Sequence, residues 1–275
     1  MNWIDLDEIA LRHELTGQGM QTVVLLHELG GSLESFDSLT PLLTARRAVL
    51  RYDLRGAGLS EQPRRAFSFD DHVDDLSKLL AAVGICTPVH IAGVAAGAAI
   101  AVSFALEHPE LVRSLALCAP ALSVDEDRVR YLGQRSQLVM REGMRAVAGD
   151  TLDRSYPPIV RRDEAAYLAY RGRFLANDPV GYAHNNLAFA KVRLLDRLGE
   201  LVPPCLVLAG AHDLLRPQDK VRTIEAMIPR AEYAVIDSGH LMPVQAPDEM
   251  ARHLLDFFAR VEDGIAFSRA SRGGG

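Results

Sequence analysis

The sequence predicts an α/β fold: a mostly parallel eight-stranded sheet with helices on both faces and one inserted helical segment. Two observations carry that expectation. Short apolar runs alternate with amphipathic helical patterns through the first half of the chain, the signature of parallel strands joined by crossover helices. The strand pattern then stops over 121–201 and resumes beyond it. A length of 275 residues suits one large core with an appendage better than two equal domains.

Strands are expected at 22–27, 48–53, 89–92, 114–118, 205–209 and 233–236, preceded by an antiparallel opening pair at 3–6 and 9–14. Apolar residues at helical spacing predict helices over 36–45, 69–83, 97–108, 220–227 and 248–260. The run 91–106 is almost wholly apolar, yet it is shorter than the roughly 20 residues a bilayer requires and has two glycines near its start. It reads as a buried strand, a tight turn and a buried helix. Residues 121–201, rich in Arg, Tyr and Asp, read as several helices forming a cap over the carboxyl ends of the strands, where open α/β sheets bind ligands. The expected division is a core of 1–120 and 202–264, a cap of 121–201, and a disordered tail of 265–275 whose Ser, Arg and Gly have nothing to bury.

With 48% hydrophobic and 24% charged residues, the composition excludes collagen, coiled coil and wholesale disorder. A formal net charge of −6 argues against nucleic acid as a partner, since phosphate binding needs clustered Lys and Arg. Cys86, Cys118 and Cys205 are odd in number and lack CxxC or metal-ligand spacing, so neither a disulfide framework nor a metal site is expected. That pattern favours a reducing cytoplasm. The opening Met-Asn-Trp-Ile-Asp lacks a basic region followed by an apolar one, so no secretory signal is expected. No membrane partner is expected, and a homo-oligomer is compatible with the sequence.

The chemistry centres on Gly93-Val-Ala-Ala-Gly97. A G-x-S-x-G elbow holds a serine on a strained strand-to-helix turn, with small residues on either side because neighbouring backbones approach closely. Here both glycines are in place and the centre is Ala95. The helix starting near Ala96 would aim free N–H groups at the same point. In chain order an acid and a histidine should follow. Asp213, in the loop after one strand, would fix the imidazole tautomer, and His240, after the last strand, would move the proton. The amides of Leu29 and Ala96 are the candidate oxyanion hole.

The motifs His27-Glu-Leu-Gly-Gly, Asp53-Leu-Arg-Gly-Ala-Gly-Leu-Ser, the elbow, Gly210-Ala-His-Asp, Gly239-His240 and Asp178-Pro-Val-Gly-Tyr-Ala resemble those of the α/β-hydrolase superfamily. Within it they look most like 3-oxoadipate enol-lactonase-like proteins, and the resemblance extends to about Val261. It implies the α/β-hydrolase fold and hydrolysis of a small ester or lactone through an acyl-enzyme, without a cofactor. Two departures stand out. Ala95 replaces the serine, which puts the acyl-enzyme in question, and Glu28 stands where the oxyanion loop commonly has glycine.

Glu28, Arg135 and Arg162 are candidate substrate contacts, and Arg161, Arg171 and Arg173 are further arginines that could grip a carboxylate or simply face water. His27 reads as structural, and Arg55, Gly56 and Gly58 as a turn. Cys118 is a conceivable substitute nucleophile, but a lone Cys on an apolar strand is more often inert core. A degenerate dinucleotide fingerprint at Gly93, Ala95 and Ala98 fails because the next strand ends in Leu117-Cys118-Ala119, with no acidic residue to hold a ribose. Three function classes remain. One is a hydrolase whose serine has been exchanged and which no longer transfers acyl groups. Another is a non-nucleophilic enzyme, lyase-like or cofactor-free oxygenase-like, using a His240/Asp213 base. The third is a small-ligand binding protein.

Overall fold

The computed structural model describes residues 2–265, so the tail expected from 265 onward falls outside the described residues except for Ile265. The eight strands are β1 Asn2–Asp5, β2 Ala10–Thr16, β3 Thr22–Leu26, β4 Ala48–Tyr52, β5 Val89–Val94, β6 Val112–Cys118, β7 Cys205–Gly210 and β8 Ala231–Ile236. They form one sheet in the order β1-β2-β4-β3-β5-β6-β7-β8. β1 and β2 pair antiparallel, β2 joins β4 antiparallel, and every later pairing is parallel.

The central strands are apolar on both sides because both faces of the sheet are covered. Val24, Leu26, Ile91, Leu115, Leu117 and Val207 point into one core, and the alternate residues Val23, Leu25, Ala92, Ala116, Leu206 and Leu208 point into the other. This period of two is the pleat of the strand. Helices α2 Asp70–Ala82 and α3 Ala96–Glu107 supply Leu76, Ile100 and Phe104 to the first core. Helices α1 Thr40–Thr44 and α10 Pro247–Glu262 supply Leu43, Leu254 and Phe257 to the second. The single helix expected over 36–45 is instead a 3₁₀ turn, Leu33–Phe36, followed by α1. Pro41 is the reason: lacking an N–H and clashing with the carbonyl four residues back, it is accommodated only in a first helical turn.

Between β6 and β7 the chain forms α4 Glu126–Glu142, α5 Arg145–Ser155, α6 Glu164–Ala176 and α7 Pro179–Phe189. Asp125, Asp163 and Asp178 cap α4, α6 and α7, each accepting first-turn N–H groups. Such caps are worth about 1 kcal/mol each. These helices bury a cluster of their own that includes Val139, Leu152, Tyr156, Tyr170, Phe174 and Tyr182. It meets the sheet domain at Leu241, beside His240. The two remaining helices are α8 Gln218–Glu225 and α9 Met242–Gln245. Among the described residues no helix is long and apolar enough to cross a membrane.

Candidate active site

β5 ends at Val94 and α3 begins at Ala96, leaving Ala95 as the pivot, with φ 50° and ψ −103°. An L-residue in that region is strained, by about 1–3 kcal/mol, and persists only when its surroundings dictate the conformation. Those surroundings are specific. Ala95 N–H donates to Cys118 O at 2.9 Å, and Ala121 N–H donates to Ala95 O at 3.2 Å, tying the pivot to the end of β6. A Cβ on Gly93 would overlap the backbone of Gly97, and one on Gly97 would overlap the carbonyl of Leu26 at the end of β3. Both glycines are therefore imposed by the packing of α3's first turn on two strands.

The acid and the histidine meet at the same end of the sheet. His240 Nδ1 lies 2.8 Å from Asp213 Oδ2, with both residues more than nine-tenths buried. Asp213 Oδ1 accepts from the amides of Leu215 (2.7 Å) and Arg216 (2.9 Å). Burial works to raise the Asp213 carboxyl, but the charge and hydrogen bond of His240 and the two amides outweigh it and hold the carboxyl below its ordinary value. Beside an ionised Asp213 the Nδ1 carries a proton, so in the neutral ring Nε2 is the acceptor, on a ring that lines the cavity.

The histidine loop is fixed by a residue that sequence reasoning missed. Gln245 Oε1 accepts from the amides of Gly239 (2.8 Å) and Leu241 (3.2 Å), while its Nε2 donates to Ser155 O at 2.9 Å. His240 N–H donates to the same carbonyl at 3.2 Å. A glutamine five residues past the histidine carries no motif, so nothing in the sequence marked it.

Ala95, Ala96, Leu29 and His240 line one cavity of roughly 110 Å³, together with residues from α4 to α7. Neither Leu29 N–H nor Ala96 N–H has an acceptor within the described chain. His27 is structural, as expected: it is 1% exposed, Leu54 N–H donates to its Nε2 at 3.0 Å, and its Nδ1 contacts Glu28 O at 2.8 Å. Glu28 reaches the cavity wall. Its Oε1 accepts from Ser35 Oγ (2.9 Å) and Tyr170 OH (2.7 Å), and its buried Oε2 has no partner. Cys118 lies fully buried outside the cavity, and burial pushes its thiol up to about 12, which makes it inert as a nucleophile.

Of the candidate arginines only Arg135 enters the cavity. Arg162 is corrected: it is about half exposed and pairs with Asp237 at 2.5 Å, because the chain before the Asp163 cap runs along the outer surface. Arg161 stacks on Tyr167 and pairs with Asp153, and Arg173 lies over Tyr170. Neither of these, nor Arg171, lines the cavity. Three arginines that do line it, Arg128, Arg154 and Arg216, were not singled out from the sequence. For Arg128 the signal was available, since 128 and 135 are seven residues apart and share a face of α4.

The geometry has clear relatives. The family model described as alpha/beta hydrolase fold matches residues 21–247. The RutD protein of Caulobacter segnis, whose name describes a carbamate hydrolase, is 28% identical over 87% of this chain and 91% of its own. A thermophilic esterase from Thermogutta terrifontis, solved with malate bound, superposes with a TM-score of 0.88 at 26% identity, covering 92% of this chain and 94% of that one. The enol-lactonase from Burkholderia xenovorans LB400 gives a TM-score of 0.88 at 25% identity over 94% of this chain and all of the other. The chain belongs to the alpha/beta hydrolase fold family.

Proposed function

We propose that this chain carries the site of a small-ester or lactone hydrolase from which the attacking oxygen is missing, with 121–201 acting as its cap, and that as it stands it forms no acyl-enzyme at residue 95. The observation that carries the reading is the strained backbone of Ala95, which keeps the elbow conformation although a methyl group has nothing to present. The His240–Asp213 pair, and the free Leu29 and Ala96 amides as an oxyanion hole in the same cavity, support it. Hydrolases, an esterase and an enol-lactonase among the relatives fit the same substrate class. Three cysteines without a disulfide fit a reducing, cytoplasmic setting.

A second reading draws on the Nε2 lone pair of His240: an imidazole backed by a buried carboxylate can remove a proton from a bound ligand without any covalent step. One experiment separates the two. Ala95→Ser restores the only missing triad atom, so a fluorophosphonate probe should label the variant and leave the Ala95 chain untouched. Hydrolysis of short acyl esters should rise by about 10³-fold or more. A folded Ala95→Ser variant that neither reacts with the probe nor cleaves such esters would overturn the hydrolase reading in favour of the base.

A further inference from the structure

We infer that the cavity is built for a small organic dianion, gripped by Arg128, Arg135, Arg154 and Arg216. Three elements bring these side chains together: α4 supplies Arg128 and Arg135, the end of α5 supplies Arg154, and the loop bearing Asp213 supplies Arg216. The placement of a reacting carbon over Ala95 rests on the hydrolase reading. The charge of the ligand does not.

The charges in this wall do not balance. Four guanidiniums line the cavity with two carboxyl groups, Glu28 and Asp150, while the charges of Asp213 and Asp125 reach Arg216 from outside the lining. Glu28 already engages Ser35 and Tyr170. Asp150 accepts from Tyr131 OH at 3.0 Å and comes no closer than 4.0 Å to Arg135. Elsewhere the chain pairs its buried arginines with carboxylates at hydrogen-bonding distance, as at Arg12, Arg47, Arg51 and Arg55. Among the described residues Arg128, Arg154 and Arg216 have no such partner.

Arg135 is held without being neutralised. It is 8% exposed, and its donors go to the hydroxyls of Tyr182 (3.0 Å), Tyr131 (3.0 Å) and Thr151. Arg128 stacks on the Tyr131 ring with its Cζ 4.5 Å from the centroid. Burial, and repulsion from neighbouring guanidiniums, push Arg128 and Arg216 below the ordinary arginine value. Arginine nevertheless stays charged at neutral pH. Arg128, Arg154 and Arg216 are half-buried without a carboxylate partner, and an incoming oxyanion would give them charge-assisted, bidentate hydrogen bonds. Three guanidiniums with no carboxylate at hydrogen-bonding distance can hold more than one oxyanion, and a dianion supplies two. The cavity, at about 110 Å³, is of the order of the roughly 150 Å³ that houses benzene, which suits a small ligand.

Titration calorimetry on the intact chain tests this with succinate, monomethyl succinate, dimethyl succinate and inorganic phosphate. Succinate should bind about tenfold tighter than its monoester and tighter again than the uncharged diester. Arg128→Met and Arg216→Met should each weaken succinate by about tenfold or more, with the urea midpoint of the empty protein unchanged or raised because repulsion is relieved. Arg162→Met should bind like the parent. Phosphate binding with the same arginine dependence would also support an oxyanion site and would direct the search to phosphate esters. Diester binding as tight as succinate, equal affinity for monoester and diacid, or folded arginine variants with unchanged affinity would each overturn the proposal. The titration needs neither turnover nor residue 95, so its failure and that of the Ala95→Ser labelling are read independently.

Discussion

At the scale of single residues, the elbow is specified by what cannot be added to it. Gly97 sits where α3's first turn presses on the end of β3, so a methyl group there meets the Leu26 carbonyl, a backbone atom that cannot move without disturbing the sheet. Overpacking of this kind costs about 1–3 kcal/mol, occasionally more. Gly97→Ala should therefore lower the stability measured by urea titration by that amount. Gly133 offers the opposite case. It lies inside α4, where an added methyl group would have nothing within 4 Å, and its φ is not positive. Gly133→Ala should raise stability by about 0.5–1 kcal/mol, because alanine loses less backbone freedom in a helix interior. Equal effects of the two substitutions would contradict the assignment of Gly97 to a close backbone approach.

At the scale of elements, the loop after β4 is anchored to α2 by a buried ion pair, with Arg55 Nε and Nη2 on Asp75 Oδ2 and Oδ1 at 2.7 and 2.6 Å. Burial raises the Asp75 carboxyl above its ordinary value even though Arg55 pulls the other way. The pair is therefore a registration device more than a source of stability. Asp75→Asn, which leaves the guanidinium only Asp71 at 3.8 Å, should cost up to about 3–5 kcal/mol, whereas the joint change Arg55→Met with Asp75→Leu should cost far less. Denaturant titration of the double-mutant cycle decides the point, and equal losses in both would refute it. The sequence made Arg55, Gly56 and Gly58 legible as a turn but not Asp75 as its partner, since a pair 20 residues apart leaves no local pattern. The same limit explains the cavity. Elbow, acid and histidine were legible because each sits at a strand end with motif residues around it. Gln245, Arg154 and Arg216 were not, because only the tertiary fold brings them to the site.

At the scale of the whole molecule, acid sensitivity follows from which groups the core keeps neutral. His72 of α2 is fully buried between Phe67 and Phe189, with ring centroids at 5.4 and 5.5 Å. Burial first, then the nearby charge of Arg55, pushes its imidazole down to about 3. His90 of β5 is likewise lowered to about 3, by burial and then by Arg47 and Arg113. In the unfolded chain both take up a proton near pH 6.5. Between that value and their folded values the unfolded state binds more protons, so stability falls as pH falls, by about 1.4 kcal/mol per pH unit for each such histidine. Asp213 belongs to a different window: its carboxyl is depressed, so its contribution is present above the ordinary carboxylate pKa near 4 and is lost only below it. Over pH 7 to 5 the loss is therefore a histidine effect, set by the unfolded pKa and insensitive to how far below 5 the folded values lie. Urea titrations at the two pH values should show a loss of about 2 kcal/mol attributable to His72, and His72→Phe, which keeps an aromatic ring between Phe67 and Phe189, should remove that share. An unchanged difference between pH 7 and pH 5 in the variant would show that His72 is not held neutral by the core.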